Sequence, residues 1–375
     1  MKNLLDTQQR DSNYDCLKLV SMFSIIIYHI LLHGKLLSST TGITNVILYF
    51  IFFLSIFHVS VLVLITGYYQ VNKEFKIEKL IKLILEFWFY SIVINFILKY
   101  TGLVVYSKTN FVLNILPFNF ETYWFLVYYL LLYIVSPYLN ILINKIDIKT
   151  FKKMIIVLIL CFSVIPYFTS FTSFNTSGYS LYHFILLYFL GAYFRKTDFI
   201  NTHWKNNNNT QKRLILFSIF VICALCNLSF QFLLRYLFAS PNGFVKWYIQ
   251  NMHIEWYNNP FILLQSVAIF LYFGTLNFKN NIISKMASTT LAIYLITDNS
   301  SVRSIIYKLI GIDTGLEMGA KSILLTFGWG VVFFISCILI DFIRQFIFKY
   351  ISRIKPVKSI GNKLKNFFEN TIEVK

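Results

Sequence analysis

Lys18 and His29 stand inside or at the edge of the first apolar run, Tyr14 to His33 (YDCLKLVSMFSIIIYHILLH). A bilayer core makes ionisable side chains expensive, so each one kept there needs a partner, a cavity or a job. The two are eleven residues apart, close to three helical turns. At about 100° per residue the offset is only ~20°, so both lie on one face, separated along the axis by roughly 16 Å. A cation near one mouth and an imidazole deeper on the same face describe a path for an incoming substrate. An imidazole can take a proton from a hydroxyl as general base. Plainer readings stand beside these. His29 can be a buried histidine bonded to a neighbouring helix, and Lys18 can snorkel to the interface or pair with Asp15 at i−3.

Three further stretches hold chemistry-bearing residues. KEFKIEKLIKL (Lys73 to Leu83) places Lys79 and Lys82 at i, i+3 on one helical face, which suits a polyanionic ligand or simple anchoring to anionic lipid. YWFLVYYLLLYIVSPYLN (Tyr123 to Asn140) opens with Trp124 and Tyr128, aromatic groups able to anchor at an interface or to stack on a sugar. STTLAIYLITDNSSVR (Ser288 to Arg303) ends in Asp298 and Asn299, which can cap and pair locally with Arg303 or bind acceptor hydroxyls. The five cysteines show no metal or disulfide spacing, and no metal is expected.

The elements that must position these residues are membrane helices. The chain is 57% hydrophobic and only 13% charged, with 40 Phe and 25 Tyr, more apolar surface than a water-soluble fold of 375 residues can hide. Ten apolar segments are expected, near 17–33, 45–66, 80–98, 123–141, 154–172, 181–194, 213–234, 261–277, 283–297 and 321–343. The fold class is therefore all-α, about ten transmembrane helices around a polar cavity. Residues 1–343 form this domain and 344–375 a basic cytoplasmic tail. With both termini inside, 26 of the 34 Lys and Arg fall on the inner side, which sets the orientation. The charge of +18 then reports loops facing anionic lipid, and no nucleic-acid partner is expected. The polar N-terminus carries no cleavage pattern, so no cleaved signal is expected. In the longest outer loop, Trp247, Tyr248, Trp256 and Tyr257 read first as a headgroup-level aromatic belt.

The chain resembles the acyltransferase-3 family, integral membrane O-acyltransferases of bacterial surface polysaccharides. NYDCLKLVSMFSIIIYH (13–29), VLITGYY (63–69) with its basic loop, the 123–140 stretch and LAIYLITDN (291–299) carry the likeness in order, with LYHFILLYFLGAYFRK (181–196) as a weaker fifth. The family's first span holds a basic residue, usually Arg, ahead of an essential His. Lys18 and His29 occupy those positions, and Lys79 and Lys82 match the family's paired arginines. A His often stands where this chain has Thr297. The resemblance implies a bacterial plasma-membrane enzyme with an acyl-CoA donor, most often acetyl-CoA, held by Lys18, Lys79 and Lys82. It implies His29 as base or covalent relay, and a carbohydrate acceptor met by Tyr14, Asp15, Trp124, Tyr128, Asp298 and Asn299. A transporter or flippase of lipid-linked saccharides is the rival reading, and a member that has lost catalysis is a third.

Overall fold

The computed structural model describes residues 12–104, 107, 109, 111–112, 120–169, 177–203, 208–238, 254–309 and 319–351. Every regular element among them is a helix. In chain order these are α1 (Asn13–His33), α2 (Leu36–Ser39), α3 (Gly42–Ser55), α4 (His58–Gln70), α5 (Ile77–Tyr100), α6 (Phe120–Lys145) and α7 (Ile148–Ile159). A π-helical turn (Leu160–Val164) leads into α8 (Ile165–Thr169). Then follow α9 (Leu181–Thr197), α10 (Phe199–His203), α11 (Asn209–Phe238), α12 (Pro260–Gly274), α13 (Asn281–Ala287), α14 (Thr290–Thr297), α15 (Ser300–Leu309) and α16 (Lys321–Ile351).

The protein is an all-helical, multi-pass membrane protein. Among the described residues, six helices are long and apolar enough to cross a bilayer: α1, the α3–α4 pair, α5, Tyr123–Lys145 within α6, Asn209–Leu237 within α11, and α16. The expected count of ten is therefore not matched by single helices of spanning length among the described residues. The other four apolar segments fold as helices too short or too interrupted to reach the ~20 residues a straight span needs. They are α7–α8 with its π-turn, the 17-residue α9, the 15-residue α12, and α13–α14 broken at Ser288 and Thr289. Caps explain why the short ones start where they do. Asn259, Asn280 and Asn299 each accept backbone N–H groups with the side-chain oxygen, at the starts of α12, α13 and α15. Asp147 does the same for α7, and the Thr150 hydroxyl and backbone bonds it accepts hold its carboxyl below the usual carboxylate range.

Burial separates the centre of the bundle from its rim. Two-thirds (67%) of the apolar stretch of α1, and as much of α3–α4, is buried inside the protein, against 22–28% for α5, α11 and α16. Helix α1 is the hub, touching α3, α4, α12, α13, α14 and α16. Its first turn is tied down by polar bonds. Asn13 Nδ2 donates to the carbonyls of Phe273 (3.1 Å) and Leu276 (3.0 Å), and Ser12 exchanges bonds with Asn280. The axial position of Lys18 and His29 is thereby fixed against the α12–α13 connection.

Helices α4 and α9 approach so closely that backbone meets backbone. A Cβ added at Gly67 would lie 2.2 Å from the Tyr188 carbonyl oxygen, and one at Gly191 would lie 2.2 Å from that of Leu64. Small residues at such crossings are what let membrane helices pack without a hydrophobic driving force. Gly191→Val is expected to push the pair apart and cost at least about 1–3 kcal/mol, read as a lowered melting midpoint of detergent-solubilised protein, with Gly191→Ala falling between it and the parent.

Helix α16 runs without a break across the expected boundary at residue 343, and Arg344 is buried between Glu86 and Asp341. The remainder of the expected tail, 352–375, and Trp247 and Tyr248 of the outer loop lie outside the described residues. Tyr257 is buried in the protein rather than placed in a belt.

Candidate active site

The chain's path places the start of α1 beside the α4–α5 and α12–α13 connections at one end of the bundle. At that end a cavity of about 820 Å³ is lined by Lys18 and Met22 of α1, Lys73 and Lys76 of the loop, Lys79 of α5, and Tyr294 of α14, among others. Its wall mixes carbon with polar atoms. Lys18 also donates to Asp15 Oδ1 at 3.0 Å, so the local ion pair and the cavity position coexist. Lys82 lies exposed outside this lining. The i, i+3 spacing from Lys79 puts the two side chains about 60° apart around α5, enough to turn one of them out of the mouth.

Further along α1, His29 belongs to a second cluster. Its Nε2 lies 3.5 Å from Asp298 Oδ1. Arg303 Nη1 donates to Asp298 Oδ1 at 3.0 Å and to His33 Nε2 at 2.8 Å, which requires His33 to present a lone pair there. The rings of His29 and His33, one turn apart, are 5.4 Å between centroids. His29 Nδ1 is buried and has no hydrogen-bond partner among the described residues. A buried, unpaired imidazole nitrogen costs free energy, roughly 1–3 kcal/mol, and such a site is one that a substrate can satisfy.

The two basic positions share a face of α1, as their spacing predicts, but they do not share one groove. His29 lines a separate, smaller cavity between α1, α14, α15 and α16. The reason is α14, which runs along that face. Thr290, Leu291 and Tyr294 line the lysine cavity, and Ile296 and Thr297 line the smaller one. Tyr294 sits one turn before Asp298 and so stands between the two openings. Thr297 uses its hydroxyl within its own helix, donating to Ile293 O at 2.8 Å.

An aromatic wall approaches His29 from the opposite direction. Trp124 lies 4.3 Å from Tyr179 and 5.6 Å from Tyr257, centroid to centroid. The Tyr257 hydroxyl meets His58 Nε2 at 3.2 Å, and His58 Nδ1 donates to the Ser55 carbonyl at 2.6 Å. Tyr28 packs edge-on against His58 at 5.1 Å and lies 5.8 Å from His29. Trp124 is therefore connected to His29 by continuous contact. Tyr128 joins the same wall through Phe184, at 5.8 Å. Asn299 is placed differently, since it caps α15 and donates to the Tyr123 hydroxyl at 2.8 Å. Tyr14 is packed at the lysine end, stacked on Phe270 at 4.8 Å, and lines neither cavity.

A family model described as an acyltransferase domain, acyltransferase 3, matches residues 11–342, nearly the whole chain. The chain belongs to the acyltransferase-3 family. No curated protein and no solved structure matches it. The acyltransferase-3 match spans both cavities and every element that builds the His29 cluster. His33, Arg303 in its bridging role, and the Tyr28–His58–Tyr257 relay were not singled out from the sequence. His33 was accessible there, being at i+4 from His29 on the same face. The Tyr257 contact joins residues 199 positions apart, and no local pattern announces it.

Proposed function

We infer that the protein is a membrane O-acyltransferase that moves an acyl group from a cytoplasmic acyl-CoA to a hydroxyl of a surface polysaccharide or its lipid-linked precursor. The observation that carries this is the buried His29 with one free nitrogen and Asp298 beside the other, standing between a lysine-lined cavity and an aromatic wall. The lysine cavity falls in the size range of small-molecule sites, about 300–1,000 Å³, and Lys18, Lys73, Lys76 and Lys79 offer point charges to nucleotide phosphates. In this reading ten segments cross the plasma membrane with both termini cytoplasmic, the interrupted ones sheltered by their neighbours.

The chemistry balances simply. The acceptor hydroxyl gives its proton to the imidazole as its oxygen attacks the thioester carbonyl. The C–S bond breaks, the C–O bond forms, and the CoA thiolate recovers the proton. Asp298 stabilises the imidazolium that appears between those steps. The separation of the lysine cavity from His29 favours a second version, in which an imidazole nitrogen attacks the thioester, the C–S bond breaks and the thiolate leaves with the imidazole proton. The hydroxyl then displaces the imidazole, its proton returning to the ring as the C–N bond breaks and the C–O bond forms. Rapid cold denaturation at neutral pH of vesicles given radiolabelled acyl-CoA without acceptor distinguishes them, because only the relay leaves label on the protein, and hydroxylamine should then release it.

The test of the whole reading uses cells with the gene deleted, restored, and restored as His29→Ala, with polysaccharide esters counted by proton NMR. Esters should vanish, return, and stay absent. Unchanged esters with altered polymer amount would move the flippase reading ahead. Within the reading, Lys79→Ala should raise KM for acyl-CoA about fivefold, one solvated lysine–phosphate contact being worth about 1 kcal/mol. Lys82→Ala, outside the cavity lining, should change it less than about twofold. Initial rates of thiol release in inverted vesicles measure both, and equal effects would place the phosphates along α5 instead.

A further inference from the structure

The cavity that touches His29 differs in kind from the one that holds the lysines. Its volume is about 130 Å³, and its lining surface is almost entirely carbon. Ile26 of α1, Ile296 of α14, Ile306 of α15, and Phe333 and Cys337 of α16 line it, with His29 in the wall, and it is open on one side. Arg303 also borders it, but its guanidinium is engaged with Asp298 and His33, so it brings no polar face to the interior. A sugar would leave its hydroxyls unpaired in such a space, which costs free energy at each group. A phosphate would fare worse. The chemistry of the lining selects an uncharged apolar group covalently close to the reacting carbonyl.

We propose that this cavity is the acyl-chain pocket, and that the preferred donor carries an acyl group longer than acetyl, of about four to six carbons. The inference rests on His29 being the acyl-transfer centre. The size follows from comparison: an apolar cavity of about 150 Å³ walled by aliphatic and aromatic side chains stays dry and takes up a six-carbon ring. The methyl of an acetyl group would cover little of the apolar wall of a 130 Å³ recess, whereas a chain of four to six carbons would lie along it. Each further methylene that enters gains roughly fourfold in binding, until the chain outgrows the cavity. The transfer itself is unchanged, directly or by way of His29: the thioester C–S bond breaks, the ester C–O bond forms, and the thiolate gains a proton while the hydroxyl loses one through the imidazole.

The experiment uses the full chain in lipid nanodiscs, which leave both faces open, with isolated surface polysaccharide as acceptor and acetyl-, butanoyl- and octanoyl-CoA as donors. Thiol release and the acids freed from the polysaccharide by mild base are measured together. The expected result is a kcat/KM for butanoyl-CoA about tenfold or more above acetyl-CoA, with octanoyl-CoA falling below butanoyl-CoA. Cys337→Trp, which fills the cavity from α16, should bring the butanoyl-to-acetyl ratio to one or below. Ile296→Phe narrows it from α14 and should shift the ratio the same way, so one poorly folded variant does not decide the matter. A wild-type preference for acetyl-CoA, or a ratio unmoved by both substitutions, overturns the pocket while leaving the transferase standing. Loss of His29-dependent thiol release with every donor is a different outcome: it overturns the transferase and the pocket with it.

Discussion

Membranes carrying His29→Ala are expected to retain no more than about a thousandth of the parent's acyl transfer, within the 10²–10⁴ range that a positioned general base contributes. The loss should appear in kcat, because His29 does not line the lysine cavity where the donor's phosphates would bind. KM for acyl-CoA should stay within about twofold. Folding is not expected to explain the result: His29 Nδ1 makes no hydrogen bond among the described residues, and its Asp298 contact is a long 3.5 Å. The variant should therefore reach the membrane in normal amount and melt near the parent. Asp298→Asn supplies the second arm. It keeps the shape but removes the charge that would stabilise an imidazolium, and it leaves Arg303 a neutral acceptor in place of a carboxylate. A fall of about 100-fold is expected, smaller than for His29→Ala because the base itself is still present. Full activity in His29→Ala would end both the base and the relay versions. Full activity in Asp298→Asn with loss in His29→Ala would keep the histidine and remove its carboxylate from the mechanism.

Some of this arrangement is legible in the sequence for identifiable reasons. Helix α1 can be read because its apolar run is long and its ionisable residues violate the solvent it must occupy, so Lys18, His29 and their common face follow from composition and period alone. Asp298 is found as a polar stop after an apolar run, and its local pairing with Arg303 is one of the two readings the sequence leaves open, whereas its approach to His29 is not among them. Asn299 takes the same local reading, as a cap: cap residues and ligands use the same side chains, and only the partners separate them. What the pattern could not show is long-range. Whether α14 lies against α1 decides that the lysines and the histidine face two cavities instead of one. Hydropathy also overstates the number of uninterrupted spans, since it registers apolar content and not the π-turn at Leu160–Val164 or the break at Ser288. A cation after an apolar stretch ordinarily marks the membrane edge, which by sequence alone puts Arg344 in the tail. Its two carboxylate partners come from α5 and from its own preceding turn, and the first is 258 positions away.

That buried cluster supports the largest stability effect we expect. Arg344, 5% exposed, lies 3.0 Å from Glu86 Oε1 and donates through Nε to Asp341, which is fully buried. Tyr90 donates to Asp341 Oδ1 at 2.7 Å. Gln345 Nε2 donates to Asp341 Oδ2 at 2.7 Å and to Ser288 Oγ at 3.0 Å. None of the three charged residues lines either cavity, so their partners are one another and not a substrate. The network joins α5 and α16 to the break before α14, the helix that ends in Asp298. Arg344→Ala would leave two carboxylates facing each other in a medium that cannot solvate them, and about 3–5 kcal/mol should be lost. Detergent-solubilised protein should melt far lower or fail to accumulate, and transfer activity should fall with it because α14 loses its footing. Replacing all three charges together, as Glu86→Gln, Asp341→Asn and Arg344→Met, removes the uncompensated charge and should recover most of the stability. Recovery in the triple variant alongside collapse of the single one identifies buried charge as the cause. A single variant that melts like the parent would instead mean that water reaches the cluster, and that α14 is held in place by packing alone.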